Sequence, residues 1–479
     1  MNKIIFNIKN VIKQYYLELI ILLISSCIVL ANIGRESLWL DEIFSALAVS
    51  KSTSLSAMFS DYLNTDVNPP LYYVLLFYWS KIVGVSDVAL RLLSFLFTIL
   101  GFLVSYIILK KNFYKRIALL YLSLSALTPG VLFFSQEMRS YALLYTLASL
   151  LTILYVIFIK RIDKNKHIER DLLLPYLIIG VLISYTHHYG TLLIFSISIS
   201  AIAYSILRKQ YKNAIYIFAT SCIVAIFPIV WAIYQFYFQG VSSRLADFST
   251  ISFNIRGLIT NYCTLFAVNK YGVILLIVLF IPFILKFQMF LFIVKRHIII
   301  LIPLVILFIV AYVFTIFTHK VDYRYFIVSI PIILLFIGFV FDSFYEKRTI
   351  FIYMYSFGLI ILTSFKSFTY HKQDFKGAAE YIKKNDNLSV CSIPINNLSD
   401  GSFSKLGFIS YYLGNQYNYI SVGPLVQEDC DLIYIDTITN EVGIKKILKK
   451  YGISIPYEIL NFNKVYIVIK KNEQNNSKN

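Results

Sequence analysis

Glu36-Ser37-Leu38-Trp39-Leu40-Asp41-Glu42 follows directly on the first strongly apolar run, and Asp66-Val67-Asn68-Pro69-Pro70 closes the polar segment that it opens. Ionised groups avoid the hydrocarbon core of a bilayer, so two adjacent carboxylates between apolar runs mark one of its faces. Trp39, Leu40, Ile43, Phe44 and Leu47 recur at helical spacing, while Asp41, Glu42 and Ser45 lie off that stripe. This pattern predicts a helix lying on the membrane surface with its apolar face down. Pro69 and Pro70 suit the first turn of a further helix, where no backbone donor is needed, and Asn68 suits its N-cap.

The rest of the chain fits a membrane setting. Its 479 residues are 58% hydrophobic, 17% aromatic and only 15% charged, with a mean hydropathy of +0.69. Soluble domains have about 45–50% apolar and about 25% charged residues, so this is a polytopic membrane protein. The net charge of +18 falls mostly between apolar runs, which points to cytoplasmic loops rather than to nucleic acid. The five cysteines form no C-x-x-C, so no zinc or redox motif is signalled. The first apolar run has no small-residue cleavage signature behind it and reads as a retained anchor.

Charge also decides whether residues 69–83 cross. About 15 residues at 1.5 Å each give roughly 22 Å, short of a core of about 30 Å. If this segment stays on one side, spans fall near 15–34, 88–108, 117–134, 138–159, 172–189, 190–207, 214–236, 271–292, 298–318, 325–342 and 349–367. Short loops and span ends expected inside then hold about 17 cations, against about 7 outside. A crossing at 69–83 would invert every later loop. The expected fold is thus an α-helical membrane protein with about 11 transmembrane helices and juxtamembrane helices in the outer loop 35–87. Cysteines placed at Ser86 and Asn112 are expected to label from outside and inside respectively; labelling from the opposite sides would overturn this topology.

From about residue 370 the composition changes. Asp374 to Asn385 reads as an amphipathic helix, with short apolar runs at 388–393, 431–436 and 464–469 and helical stretches near 403–413 and 440–450. This predicts a small α/β domain over 370–479, outside the membrane, beside a transmembrane domain over 1–369. It is expected to assist acceptor or partner binding. Cys391 and Cys430 leave both a disulfide and two buried thiols open.

The topology gathers unusual residues on the outer face: Asp41 and Glu42; Asp66 and Asn68; Gln136 to Tyr141, including Arg139; His187 and His188; and Lys320 with Arg324. Each has a plain structural reading, as helix cap, headgroup anchor or satisfied core histidine. Their shared face, against the charge bias, favours function. This set contains no D-x-D and no H-x-x-x-H, and adjacent helical residues point about 100° apart, so Asp41 and Glu42 do not readily share an ion. No cofactor is expected, and whether a divalent ion assists is left open.

The order of motifs resembles the membrane-embedded lipid-linked sugar transferases of the GT-C fold, in particular the protein O-mannosyltransferase and aminoarabinose-transferase branch. The resemblance rests on Leu40-Asp41-Glu42, Asp66-Val67-Asn68-Pro69-Pro70-Leu71-Tyr72, Arg91, Ser135 to Tyr141, Thr186-His187-His188-Tyr189-Gly190 and Tyr323-Arg324-Tyr325. Asn68 departs from the mannosyltransferases, which tend to have His before Pro-Pro. The resemblance implies a sugar donor on polyprenyl phosphate, inversion at the anomeric carbon and Asp41 as base, with Glu42 beside it. Arg139, Tyr141, His187, His188, Lys320, Arg324, Asp66 and Asn68 become candidate substrate contacts.

The chemistry is coherent with those residues. Phosphate is a good leaving group, so one carboxylate to deprotonate an acceptor and cations to hold the phosphate suffice. The partners expected are that donor, a lipid, glycan or protein acceptor, and membrane lipids, in a bacterial plasma membrane with the site on the extracytoplasmic side. A polymerase or transporter of lipid-linked glycans is the alternative; a transporter would show internal repeats and charges at mid-membrane. A non-catalytic assembly protein would leave Asp41 replaceable.

Overall fold

The computed structural model describes residues 2–66, 68–238, 259, 262–263, 265–266, 286–318, 322–344, 373–385, 390–393, 409–413, 420–421, 432–436, 441–450, 457–463 and 465–470. The helices are α1 (Asn2–Asn32), α2 (Leu40–Lys51), α3 (Leu55–Asp61), α4 (Leu71–Val83), α5 (Asp87–Asn112), α6 (Lys115–Leu127), α7 (Pro129–Phe134), α8 (Tyr141–Asp163), α9 (Arg170–Ser184), α10 (His188–Leu207), α11 (Tyr211–Phe238), α12 (Phe287–His297), α13 (Ile302–Thr318), α14 (Ile330–Phe344), α15 (Phe375–Lys384), α16 (Ser410–Leu413) and α17 (Glu441–Lys450). Two compact units result: one of Met1–Ile33, Leu63–Gly84 and Val88–Thr369, the other of Gly34–Tyr62, Val85–Asp87 and Tyr370–Asn479. The segments 34–62 and 85–87, grouped by sequence with the membrane helices, thus cluster with the C-terminal residues.

The first unit is an integral membrane bundle. Seven helices among the described residues are long and apolar enough to span a bilayer. Several expected spans differ in form. Residues 117–134 are two helices, because Thr128 leaves the helical conformation and Pro129 starts α7. The expected span 172–189 is α9, of only 15 residues. The interruption expected between 292 and 298 comes later: α12 runs on to His297 and a 3₁₀ turn at Ile298–Leu301 leads into α13, within one apolar run over Phe287–Ile316. Most of 271–292 and all of 349–367 lie outside the described residues. α4 has 13 residues and is shorter than a span.

α8 is the hub, with 94% of its apolar window buried. It packs against α9, α10 and α14. Gly101 lets α5 approach it closely, since a Cβ there would stand 2.5 Å from Thr146 Oγ1. Thr146 donates to the Phe97 carbonyl at 2.9 Å, the small-residue and hydroxyl contact typical of packed membrane helices. Arg91 is fully buried and donates through Nη1 to the Ile33 carbonyl at 2.9 Å, just past the end of α1.

In the second unit, the described strands are β1 (Val390–Ile393), β2 (Ile420–Ser421), β3 (Leu432–Asp436), β4 (Tyr457–Phe462) and β5 (Val465–Lys470). They form one sheet in the order β2-β1-β3-β5-β4. β1 runs parallel to β2 and β3, while β5 runs antiparallel to β3 and β4. Leu432, Ile433, Ile435, Val465, Ile467 and Val468 are buried, as in a sheet covered on both faces. α15 packs on β5 and β4 through Phe375, Ala378, Ala379 and Ile382, the i, i+3, i+4, i+7 stripe of an amphipathic helix. Asp374 caps it by accepting from the Gly377 N–H at 2.8 Å. Cys430 lies outside the described residues, and with it the disulfide question.

Candidate functional site

In the membrane unit a polar cluster is built where four chain segments turn. The first is the entry to α4. Helix formation starts at Leu71, with Pro70 in the N-cap position, so Asn68 is not the cap that the sequence suggested. A residue before proline is disfavoured in the helical conformation, which pushes the start beyond the Pro-Pro pair. Asn68 instead donates from its backbone N–H and Nδ2 to Asp66 Oδ1 at 3.0 and 2.8 Å. Asp66 Oδ2 accepts from the Tyr73 hydroxyl.

The second segment is the turn between α7 and α8. Arg139 is buried there and donates through Nη1 to the Tyr73 hydroxyl at 2.8 Å. Asp66, Tyr73 and Arg139 therefore form one chain of hydrogen bonds. Asn68, Pro69, Tyr72, Tyr73, Arg139 and Ser140 line a narrow cleft beside it. Tyr141 opens α8 and is buried.

The third is the tight turn from α9 into α10. Gly190 makes it feasible, since a Cβ there would lie 2.5 Å from the Ile183 carbonyl oxygen. His187 is the N-cap of α10, and its Nδ1 accepts from the Tyr189 N–H at 3.1 Å. That bond assigns the ring proton of the neutral imidazole to Nε2. Burial, then the charges of His188, Arg139 and Arg324, hold the imidazole well below the usual histidine range, so it is a neutral hydrogen-bond donor.

The fourth is the 3₁₀ turn Tyr323–Ser329, capped by Asp322, which accepts from the Arg324 N–H at 2.9 Å. Asp322 Oδ2 also takes the Arg324 Nη2 donor at 2.8 Å, so one carboxylate orients both the backbone and the guanidinium. Arg324 lies over the Tyr141 ring, 5.9 Å from its centroid. The His187 ring is 4.9 Å from Tyr325 and 6.0 Å from Tyr141, with His188 at 6.4 Å. Arg139, Tyr141, His187, His188 and Arg324 are thus brought together. Lys320 lies outside the described residues. Two guanidiniums and a neutral imidazole, walled by aromatic rings, suit an anionic group joined to a polar body.

Asp41 and Glu42 lie in the first turn of α2, in the second unit. They are not equivalent. Glu42 is fully buried and its Oε2 accepts from the Trp39 N–H at 3.4 Å, a helix-start role. Asp41 is half-buried, beside the partial positive charge of the helix start.

No protein-family model matches this sequence, and no curated protein matches it. Two crystal structures of ArnT from Cupriavidus metallidurans resemble it. One is bound to undecaprenyl phosphate, with a TM-score of 0.57; the other is in the apo state, with 0.54. The chain has the GT-C fold. The likeness covers 94% of this chain and 97% of the ArnT chain at 11% identity, so it extends to the architecture and not to individual residues.

Tyr73, Asp322 and Tyr325 also belong to this polar cluster, although the sequence did not mark them as site residues. Tyr325 stood inside a quoted motif, but nothing local showed that it faces His187. Among the described residues no three His, Cys, Asp or Glu side chains are grouped to hold a metal ion. The D-x-D triplet Asp429-Cys430-Asp431 of the C-terminal segment lies outside the described residues.

His187 gives a pH prediction. The unfolded imidazole titrates near 6.5, and the folded one well below it. Below about pH 6.5 the unfolded state takes up a proton that the folded state does not, so the contribution of His187 to stability is intact above that pH and falls as pH drops. His187→Asn keeps an N-cap acceptor and removes the titration. Its melting temperature in detergent is expected to fall less than that of the wild type between pH 7 and pH 5; equal slopes would contradict the neutral, buried assignment.

Proposed function

We propose that the protein is a membrane glycosyltransferase that moves a sugar from a polyprenyl-phosphate donor to an acceptor on the extracytoplasmic face. The observation that carries this reading is the grouping of Arg139, Arg324 and neutral His187 among tyrosines. The fold of a protein crystallised with undecaprenyl phosphate supports it. In the proposed reaction Asp41 takes the proton of the acceptor hydroxyl. The acceptor oxygen bonds to the anomeric carbon from the side opposite the phosphate, and the bond from that carbon to the phosphate oxygen breaks. The electron pair leaves on the phosphate, where guanidinium and imidazole N–H groups offset the charge. The anomeric configuration inverts. Soluble glycosidases place a second carboxyl group at the leaving oxygen because it leaves poorly; phosphate makes that group unnecessary.

The test is ligand discrimination. Native mass spectrometry of the purified protein, with polyprenyl phosphate and with the polyprenol lacking phosphate, is expected to show clear preference for the phosphate. Equal binding of both lipids would remove the phosphate role of the cluster.

A further inference from the structure

We propose that Tyr412, in the C-terminal segment, is the positioning residue for the helix that carries Asp41. This rests on the reading of Asp41 as base. Asp41 sits in the first turn of α2, so its place is set by the chain that enters the helix. That entry is tied down at consecutive residues. The Lys376 N–H donates to Ser37 Oγ at 3.2 Å. The Leu38 N–H donates to the Tyr412 hydroxyl at 2.9 Å. Trp39 is held by Glu42, and its carbonyl accepts from the Glu42 and Ile43 N–H groups at 2.8 and 3.0 Å. Ser37 and Leu38 are both buried, where a backbone N–H must find a partner.

Tyr412 does more than fill space. Its hydroxyl accepts from Leu38 and donates to Asp87 Oδ2 at 2.8 Å, so one oxygen joins the α2 entry to the 85–87 segment of the same unit. Burial, then Asp87, push the phenol up, and the hydroxyl remains a donor at any working pH. Tyr411 donates to Asp87 Oδ1 at 3.0 Å and to the Val85 carbonyl at 3.3 Å. It steadies Asp87, and the contacts to Ser37 and Leu38 come from Lys376 and Tyr412. The C-terminal segment thus acts on the transfer step by fixing the base. This goes beyond the acceptor-binding role expected from its composition.

The experiment uses the full chain in proteoliposomes. Tyr412→Phe keeps the ring and removes the relay oxygen. A base displaced by about 1 Å costs up to roughly 10²-fold in rate, so kcat is expected to fall about 10- to 100-fold with donor KM unchanged, and Tyr411→Phe to cost less. The Tyr412→Phe/Asp41→Asn double variant is expected to be no slower than Asp41→Asn alone, because the position of an absent base does not matter. Unchanged kcat in Tyr412→Phe beside a slow Asp41→Asn would overturn the positioning role and leave the base assignment standing. Full additivity in the double variant would overturn it too. A wild-type rate in Asp41→Asn would instead overturn the reading beneath it. If Tyr412→Phe does not fold, Asp87→Asn weakens the same relay and is expected to lose kcat at constant KM; unchanged kcat there overturns the proposal.

Discussion

Asp41→Asn is expected to slow sugar transfer by about 10²–10⁴-fold, the usual cost of removing a general base, while protein level and donor binding persist. Asparagine keeps the size and much of the hydrogen bonding of the side chain and loses only its basicity. The backbone around it is secured independently, since the Asp41 carbonyl accepts from Ser45 Oγ at 2.9 Å and the helix start is capped by Glu42. Loss of rate therefore reports chemistry rather than unravelling. Glu42→Gln is the internal comparison. Its amide oxygen can still accept from Trp39, so transfer is expected to fall far less. Near wild-type transfer by Asp41→Asn at saturating donor and acceptor would leave Asp41 as a helix-start residue without a catalytic role.

Arg324→Ala is expected to raise the donor KM by roughly 10- to 100-fold, the scale of one charge-assisted hydrogen bond, with a smaller effect on kcat. Asp322 fixes the guanidinium through Nη2 and the Tyr141 ring lies beneath it, so its planar fork is presented in one orientation. Arg324→Lys keeps the charge and loses that fork, and is expected to fall between alanine and wild type. Donor titrations at fixed acceptor separate the two parameters. An unchanged KM in Arg324→Ala would take Arg324 out of the donor site and leave Arg139 and His187 as the phosphate contacts.

The membrane class, the α2 helix and the α15 helix were legible because each rests on a local pattern: hydropathy, apolar residues recurring at helical spacing from Trp39, and an Asp before an apolar i, i+3, i+4, i+7 set. The stripe did not give the buried face of α2, since Glu42 and Ser45, expected off it, are fully buried and Trp39, Leu40 and Phe44 only partly. The apolar runs at 388–393, 431–436 and 464–469 became β1, β3 and β5 for the same reason. β4 escaped because Glu458 and Asn461 interrupt its apolar residues, as suits a strand at the edge of the sheet. The split of 117–134 hinges on the single residue Thr128 before Pro129, which hydropathy averages away. Glu18 was not singled out, lying in the first apolar run. It is buried and satisfied by the Tyr106 hydroxyl at 2.6 Å and Lys115 at 3.1 Å, partners about 90 residues distant that no local reading supplies. The same limit applies at the site. Arg139 and His187 were visible as polar residues at a membrane face. Their links to Tyr73 and Tyr325 exist only once four separate turns are folded together.

The measurement that tests the account most directly is acceptor-dependent release of polyprenyl phosphate from a panel of polyprenyl-phosphate sugars by the purified protein in liposomes. Release is expected with at least one donor, giving a product of inverted anomeric configuration. Asp41→Asn is expected to bind that donor and release about 10²–10⁴-fold less. Transfer that proceeds with retention, or a rate unaffected by Asp41→Asn, would contradict it.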